Sequence, residues 1–107
     1  AEAAAVNRKT LSGYLLLPNY REYWKAAGYE EEMTTVERAI AEGNTRTLGD
    51  LVPERWLADT TLFGSASAVR DGVEAWIAAG VTAPILVPSS ARGNQMQAFQ
   101  ELFAAYA

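Results

Sequence analysis

Residues 65–90 carry the clearest structural pattern in the chain and read SASAVRDGVEAWIAAGVTAPILVPSS. Ser65 is a residue that helices prefer at their N-cap, and apolar residues at helical spacing follow it as far as Gly80. The next apolar run, Ile85–Val87, is consecutive and lies between two prolines. Such a run is typical of a short strand buried on both faces, as in a parallel sheet. The pattern therefore predicts a helix that ends near Gly80 and a short strand near 84–87.

Helical patterns dominate the chain on both sides of this segment. After it, Gln95–Tyr106 places its apolar residues on one face. Before it, Asn19 stands in an N-cap position, and the apolar run Tyr14–Leu17 fits either a strand or a buried turn of helix. The predicted helices are Ala1–Thr10, Asn19–Ala27, Glu30–Glu42, a short helix that begins at Pro53, Ser65–Ala79 and Gln95–Tyr106.

A single strand among helices poses a physical problem. Its N–H and C=O groups need partners on both sides, and burying them unpaired is costly. The chain offers at most one weak partner, the run Tyr14–Leu17. We therefore infer that the neighbouring strands come either from sequence outside these 107 residues or from a second copy of the chain.

Composition excludes several classes of function. The chain has no Cys and no His, so it cannot build a disulfide, a thiol nucleophile, a zinc or haem site, or a Ser-His-Asp triad of its own. Its net charge of -4 argues against nucleic acid as a partner, since nucleic-acid binders of this size are usually basic. No apolar run approaches the ~20 residues of a membrane span, so we expect no membrane partner.

Two further features of the sequence bear on location and on metal binding. The N-terminus carries Glu2 ahead of Arg8 and Lys9, which is the reverse of a secretory signal, and we expect a cytoplasmic protein. The acidic triplet Glu30–Glu32 predicts a solvated helix start, because three carboxylates in a first turn complement the helix dipole. Adjacent helical carboxylates point apart, so no metal site is expected there.

Short motifs run in order along nearly the whole chain. Together, their order and spacing resemble the late region of luciferase-like flavin-dependent oxidoreductases and monooxygenases, although each motif is weak alone. The motifs are Val6–Thr10, Leu17–Trp24, Ala27–Tyr29, Arg55–Asp59, Gly64–Ala66, Ala78–Val81 and Pro84–Ser90.

The resemblance implies both a fold and a chemistry. Members of this family are TIM (β/α)8 barrels of the α/β class, and they use FMN or the deazaflavin F420 on small-molecule substrates. Residues 1–107 would be a single partial domain, the C-terminal portion of such a barrel, with 1–64 as a helical region and 65–107 as the last helix–strand–helix unit. The chain itself would be mainly α-helical with one short strand near 84–87.

The same resemblance bears on activity. The cofactor of the parent enzyme would carry hydride transfer or oxygenation, and the residues do not distinguish FMN from F420. Most flavin contacts in the family come from earlier strands. We therefore expect this chain alone to be inactive and to bind no cofactor.

The candidate binding residues follow the predicted strand. In a barrel the active face lies at the C-terminal ends of the strands, which here means Ser89 and Ser90, with Arg92 nearby. Hydroxyl and backbone N–H groups ahead of a helix can hold a phosphate or a substrate oxygen. The alternative is that the serines only turn the chain and that Arg92 is a solvated surface charge. No catalytic residue is assigned, because the chain contains no nucleophile–base pair.

Two functions are therefore compared. The first is a C-terminal fragment of a flavin- or F420-dependent oxidoreductase. The second is a free-standing, mainly helical interaction module that dimerises through its apolar faces and has no catalytic activity. With either function we expect a homodimer, because the faces that bear Trp76 and Phe103 have no sheet in this chain to cover them.

Overall fold

The computed structural model describes residues 1–107 and contains six α-helices and one 3-10 helix. The chain divides into two units: residues 1–7 with 61–107 form one, and residues 8–60 form the other. The helices are α1 (Glu2–Leu15), α2 (Pro18–Ala26), α3 (Glu30–Ala41), the 3-10 helix (Leu48–Leu51), α4 (Glu54–Thr60), α5 (Ala66–Ala78) and α6 (Gln95–Ala105).

The predictions of α2, α3, α5 and α6 are confirmed, with each end within one residue of its predicted position. Local signals explain this agreement. The Ser65 hydroxyl accepts a hydrogen bond from the N–H of Ala68 at 3.2 Å, which is the N-cap interaction expected for α5. Gly80 follows α5 with a φ of 112°, a left-handed conformation that favours glycine.

Two predicted helix ends differ from the structure. The first helix was expected to stop at Thr10, but α1 continues through Gly13 to Leu15, which is fully buried. Burial of Leu15 stabilises this last turn and outweighs the low helix propensity of glycine. The N-cap of α2 is Leu17 rather than Asn19, because Pro18 occupies the first helical position.

The prediction of an α/β class with a short strand near 84–87 is wrong, because the structure contains no β-strand. No backbone–backbone hydrogen bond involves residues 82–93. Ile85 and Val87, expected to be buried, are 92% and 87% exposed. A strand needs a hydrogen-bonding neighbour, and the only candidate, 14–17, forms the end of α1 and the turn before α2. The apolar run therefore lies in an irregular segment.

The core of the unit formed by residues 8–60 is built around Trp56. Its ring meets Trp24 edge-on at 4.9 Å between centroids, and Trp24 in turn meets Tyr20 at 5.7 Å. Helix α2 thus packs on the core through Trp24, whereas its neighbour Tyr23 is 69% exposed. The fully buried side chains are Leu15, Met33, Val36, Leu48, Trp56 and Leu57.

Arg8 fastens α1 to the 3-10 helix within this unit. Its Nη1 donates hydrogen bonds to the carbonyl oxygens of Gly49, at 2.9 Å, and Val52. Gly49 packs closely against α1, since a Cβ built on it would lie 2.9 Å from the Ser12 hydroxyl and 3.3 Å from the Arg8 carbonyl oxygen. This position therefore requires a glycine for lack of space.

We expect Gly49→Ala to lower the free energy of unfolding by about 1–3 kcal/mol, because the added methyl group must push the two segments apart. The matched control is Gly13→Ala, also in this unit, where a Cβ would meet nothing within 4 Å. Since Gly13 is helical, alanine there should stabilise by about 0.5 kcal/mol. Urea unfolding followed by circular dichroism measures both. Equal midpoints for the two variants would contradict the close contact at Gly49.

Glu37 on α3 links α2 to α3 through two cations. Lys25 Nζ lies 2.9 Å and Arg21 Nε 3.4 Å from its carboxylate. Arg21 also donates to the carbonyl oxygen of Leu15 at 2.8 Å, which ties the end of α1 to the same cluster. The hydrogen bond from Lys25, followed by that from Arg21, holds the pKa of Glu37 below its ordinary value of 4.5.

This shift predicts a pH dependence of stability. A carboxyl group with a lowered pKa in the folded state stabilises the fold above pH 4.5, its ordinary pKa, and that contribution is lost as the pH falls through the folded pKa. Glu37→Gln should therefore be less stable than the wild type at pH 7, and the difference should shrink as the pH falls below 4.5. Urea midpoints between pH 3 and 7 test this, with the exposed Glu74→Gln as control. A difference between wild type and Glu37→Gln that does not change with pH would contradict it.

Candidate functional site

A cleft of about 80 Å³ lies in the unit formed by residues 1–7 and 61–107, and Ser89 is one of the residues that line it. Its walls come from α1, from the segment between α4 and α5, from α5 itself, and from the segment before α6. The lining residues are Ala3, Val6, Asn7, Leu62, Phe63, Gly64, Val69, Ser89 and Ala91. None of them is charged.

Asn7 is the polar side chain that α1 contributes to this cleft. Its Nδ2 donates to the hydroxyl of Thr61 at 3.1 Å and to the carbonyl oxygen of Leu62 at 3.4 Å. These two acceptors fix the orientation of the amide, so Oδ1 is the atom that remains for another donor. The hydroxyl of Ser89 makes no hydrogen bond within the chain.

Ser90 points its hydroxyl elsewhere. Its Oγ donates to Glu101 Oε1 at 3.1 Å and accepts from the N–H of Arg92 at 3.2 Å. Glu101 also accepts from Gln97 Nε2 at 3.1 Å. Ser90 therefore fastens the loop to α6, which favours the structural alternative for this serine.

Arg92 lies on the surface rather than in the cleft. Its side chain is 80% exposed, and its Nε lies 3.5 Å from the carboxylate of Glu2. An ion pair so exposed contributes little to stability. The N-terminus of α6 is capped by Asn94, whose Oδ1 accepts from the N–H of Gln97 at 3.1 Å. Of the three candidates, the structure thus brings only Ser89 into a cleft.

The sequence analysis missed Asn7, although a signal was present. Ala3, Val6 and Asn7 lie at helical spacing, so they share one face of α1. A polar amide on an otherwise apolar face is a candidate for a partner or a ligand. Segment 61–64 packs against this face of α1. Such tertiary packing cannot be predicted from the spacing of apolar residues.

Tyr29 anchors a second polar cluster, in the unit formed by residues 8–60. It is buried and its hydroxyl donates to Asp59 Oδ2. Arg55 lies with its guanidinium carbon 4.5 Å from the centre of the Tyr29 ring and its Nη2 3.6 Å from Glu32. Burial, followed by the hydrogen bond to Asp59, raises the pKa of Tyr29 above its ordinary value of 10.0. The hydroxyl therefore stays protonated at neutral pH, and the cluster serves packing.

Three other features of the chain provide no site. The turn 43–47 borders an open space of about 430 Å³, but all of its lining comes from five consecutive residues, so no groups from different elements converge there. No cluster of three or more His, Cys, Asp or Glu side chains is arranged to hold a metal ion. Every helix of the structure is too short or too polar to cross a bilayer.

The cleft at Ser89 is small for a ligand site. Sites for whole cofactors and substrates usually enclose about 300–1,000 Å³. With about 80 Å³, this cleft can enclose only one end of such a molecule. Comparison of the chain with protein-family models, with curated proteins and with solved structures gave no match.

Proposed function

We propose that residues 1–107 are the C-terminal part of a luciferase-like flavin-dependent oxidoreductase or monooxygenase, a cytoplasmic enzyme that uses FMN or F420 on a small-molecule substrate. The observation that carries this proposal is the order and spacing of the motifs from Val6–Thr10 to Pro84–Ser90. The first and last of these motifs contribute Asn7 and Ser89 to the same cleft. A shared cleft supports a common role for the two ends of the motif series.

The exposed apolar surface of the unit formed by residues 1–7 and 61–107 also supports this proposal. Phe103 is 72% exposed and Trp76 is 54% exposed. Side chains of this size are usually buried, and a large exposed apolar patch marks an interaction surface. A partial domain would leave such faces exposed where the rest of the enzyme would cover them.

The residues present do not form a flavin site by themselves. The cleft at Ser89 has a volume of about 80 Å³, which is too small for a flavin ring system, and no cation lines it to bind a phosphate. In the parent enzyme the cofactor would supply the redox chemistry. In this proposal Ser89 contacts one end of the substrate or cofactor. Ser90 and Arg92 hold the loop next to Ser89 in shape.

We therefore expect the 107-residue chain to bind neither FMN nor F420. Isothermal titration of the oxidised and the reduced cofactors into the chain should give no saturable heat. The cause would be the missing surface, since cofactor sites bury most of their ligand. Tight stoichiometric binding would contradict this prediction and would indicate a complete site within these residues.

The function itself is tested on the product of the whole reading frame. If the frame extends well upstream of Ala1, the full-length protein should bind reduced FMN or F420 and oxidise it in the presence of a substrate. A reading frame that begins near Ala1, or a long product that binds neither cofactor, would refute the oxidoreductase.

The alternative is a free-standing helical module that forms a homodimer and has no catalytic activity. One observation favours it. The residues Met96, Phe99 and Phe103 of α6, together with its C-cap residue Tyr106, lie at helical spacing and are all more than 40% exposed. We call these four residues the α6 stripe. A reading frame limited to this chain would select the dimeric module over the enzyme fragment.

A further inference from the structure

We propose that the cleft between Asn7 and Ser89 binds a small uncharged group that donates a hydrogen bond, such as a primary carboxamide at one end of a larger ligand. That the larger ligand is a substrate or cofactor rests on the proposed function. The chemistry of the group follows from the cleft alone.

The polar atoms of the cleft define the kind of group that fits. The amide nitrogen of Asn7 is already committed to Thr61 and Leu62, so Asn7 offers its Oδ1 as an acceptor. Ser89 offers a hydroxyl that can donate or accept. A primary carboxamide carries an N–H donor that suits Asn7 Oδ1 and an acceptor oxygen that suits the Ser89 hydroxyl.

The charges around the cleft argue against an anion. No residue of the lining is charged, and an anion would face the acceptor oxygen of Asn7. The guanidinium of Arg92, which follows Ser89 by three residues, is outside the lining and is paired with Glu2. An anion in the cleft would have no cation of the lining beside it. We therefore infer that an uncharged group fits the cleft better than the phosphate that the sequence predicts near Ser89.

Size and polarity limit the group further. A cleft of about 80 Å³ is well below the about 300–1,000 Å³ of sites that hold whole ligands, so it takes one small group of a ligand. The other side chains of the wall, Val6, Leu62 and Val69, are apolar and fit the carbon side of such a group. Because so small a fragment makes few contacts, its dissociation constant should be on the order of 10 mM.

The test uses acetamide and acetate, which have nearly the same shape but differ in charge and in hydrogen-bond donors. Each is titrated, up to about five times the expected dissociation constant, into the isotope-labelled 107-residue chain and followed by nuclear magnetic resonance. Acetamide should shift the side-chain amide of Asn7 and the backbone amide of Ser89 in a saturable way. Acetate and inorganic phosphate should leave both signals in place.

Two serine variants supply the matched control. Ser89→Ala should weaken acetamide binding at least five-fold, because it removes a cleft hydroxyl that the fold does not use. Ser67→Ala, at an exposed serine of α5 that lies outside the lining, should change it less than two-fold. Saturable shifts with acetate or phosphate, no shift with acetamide, or equal binding by both variants would each overturn the proposal. None of these outcomes depends on the reading frame. The oxidoreductase proposal can therefore be refuted while the cleft proposal stands, and the cleft proposal can be refuted while the oxidoreductase proposal stands.

Discussion

Replacing Trp56 by alanine is expected to lower the free energy of unfolding by about 3–5 kcal/mol, because the side chain is fully buried at the centre of the unit formed by residues 8–60. The truncation removes the edge-on contact with Trp24 and leaves a cavity that the helices can fill only in part. Domains of this size are usually stable by about 5–15 kcal/mol, so this single change should bring the unit close to its unfolding threshold. Urea unfolding followed by far-ultraviolet circular dichroism measures the loss.

The unit offers a control in Tyr23, an aromatic residue of α2 that is 69% exposed. Tyr23→Ala should lower the free energy of unfolding by much less than Trp56→Ala does, since less of its side chain is buried. If the two alanine variants were equally stable, Trp56 would not be the centre of this core.

A third variant separates packing from hydrogen bonding at this position. The indole N–H of Trp56 is buried and has no hydrogen-bond partner. Trp56→Phe removes that unsatisfied donor and keeps most of the apolar volume, so its cost should be clearly smaller than that of alanine. A phenylalanine variant as unstable as the alanine variant would contradict this expectation and would show that the core needs the shape of the whole indole ring.

The helices were predictable because their signals are local. Ser65 caps α5 and Gly80 ends it, and both contacts lie within a few residues of the helix itself. The end of α1 was not predictable in this way. It depends on burial of Leu15, to which Arg21 of α2 also bonds, and neither contact is visible in the pattern of residues 1–15.

The strand prediction failed because a strand, unlike a helix, depends on a partner that is distant in the sequence. Ile85–Val87 has the composition of a buried strand, but a strand exists only where a second one supplies hydrogen bonds. Composition predicted the element, and the chain contains no partner for it. The sequence already showed that the run has no second strand to pair with. In the structure Ile85 is accordingly 92% exposed.

The candidate site was predictable only in part. Ser89 follows an apolar run and lies in the cleft, but its neighbour Ser90 has the same sequence context and bonds to Glu101 instead. Which of two adjacent hydroxyls faces a cleft depends on the backbone of an irregular segment. Asn7 joins the cleft through the fold of the whole unit, which no local pattern encodes.

We expect the chain to assemble through the α6 stripe and the exposed apolar residues of the same unit. Nine large apolar residues of the unit formed by residues 1–7 and 61–107 are exposed by 37–92%. At about 200 Å² for each large side chain, they leave on the order of 1,000 Å² of apolar surface in water. A standard protein–protein interface buries about 800 Å² on each partner, so the exposed apolar area of this unit is of the order that a dimer needs. The nine residues are Trp76, Ile77, Ile85, Leu86, Val87, Met96, Phe99, Phe103 and Tyr106.

We propose a second copy of the chain as the occupant of this surface and expect sedimentation equilibrium to show twice the chain mass of 11.6 kDa. Phe103→Lys should weaken the dimer more than ten-fold, because Phe103 is the most exposed residue of the α6 stripe and a lysine would be buried without a partner. The matched control is Tyr23→Lys, which places the same charge at an aromatic residue of the other unit that is 69% exposed, and it should leave the dimer intact. A wild-type monomer at high concentration would refute self-association. A dimer that survives Phe103→Lys but dissociates with Tyr23→Lys would refute the α6 interface and would place the interface on α2.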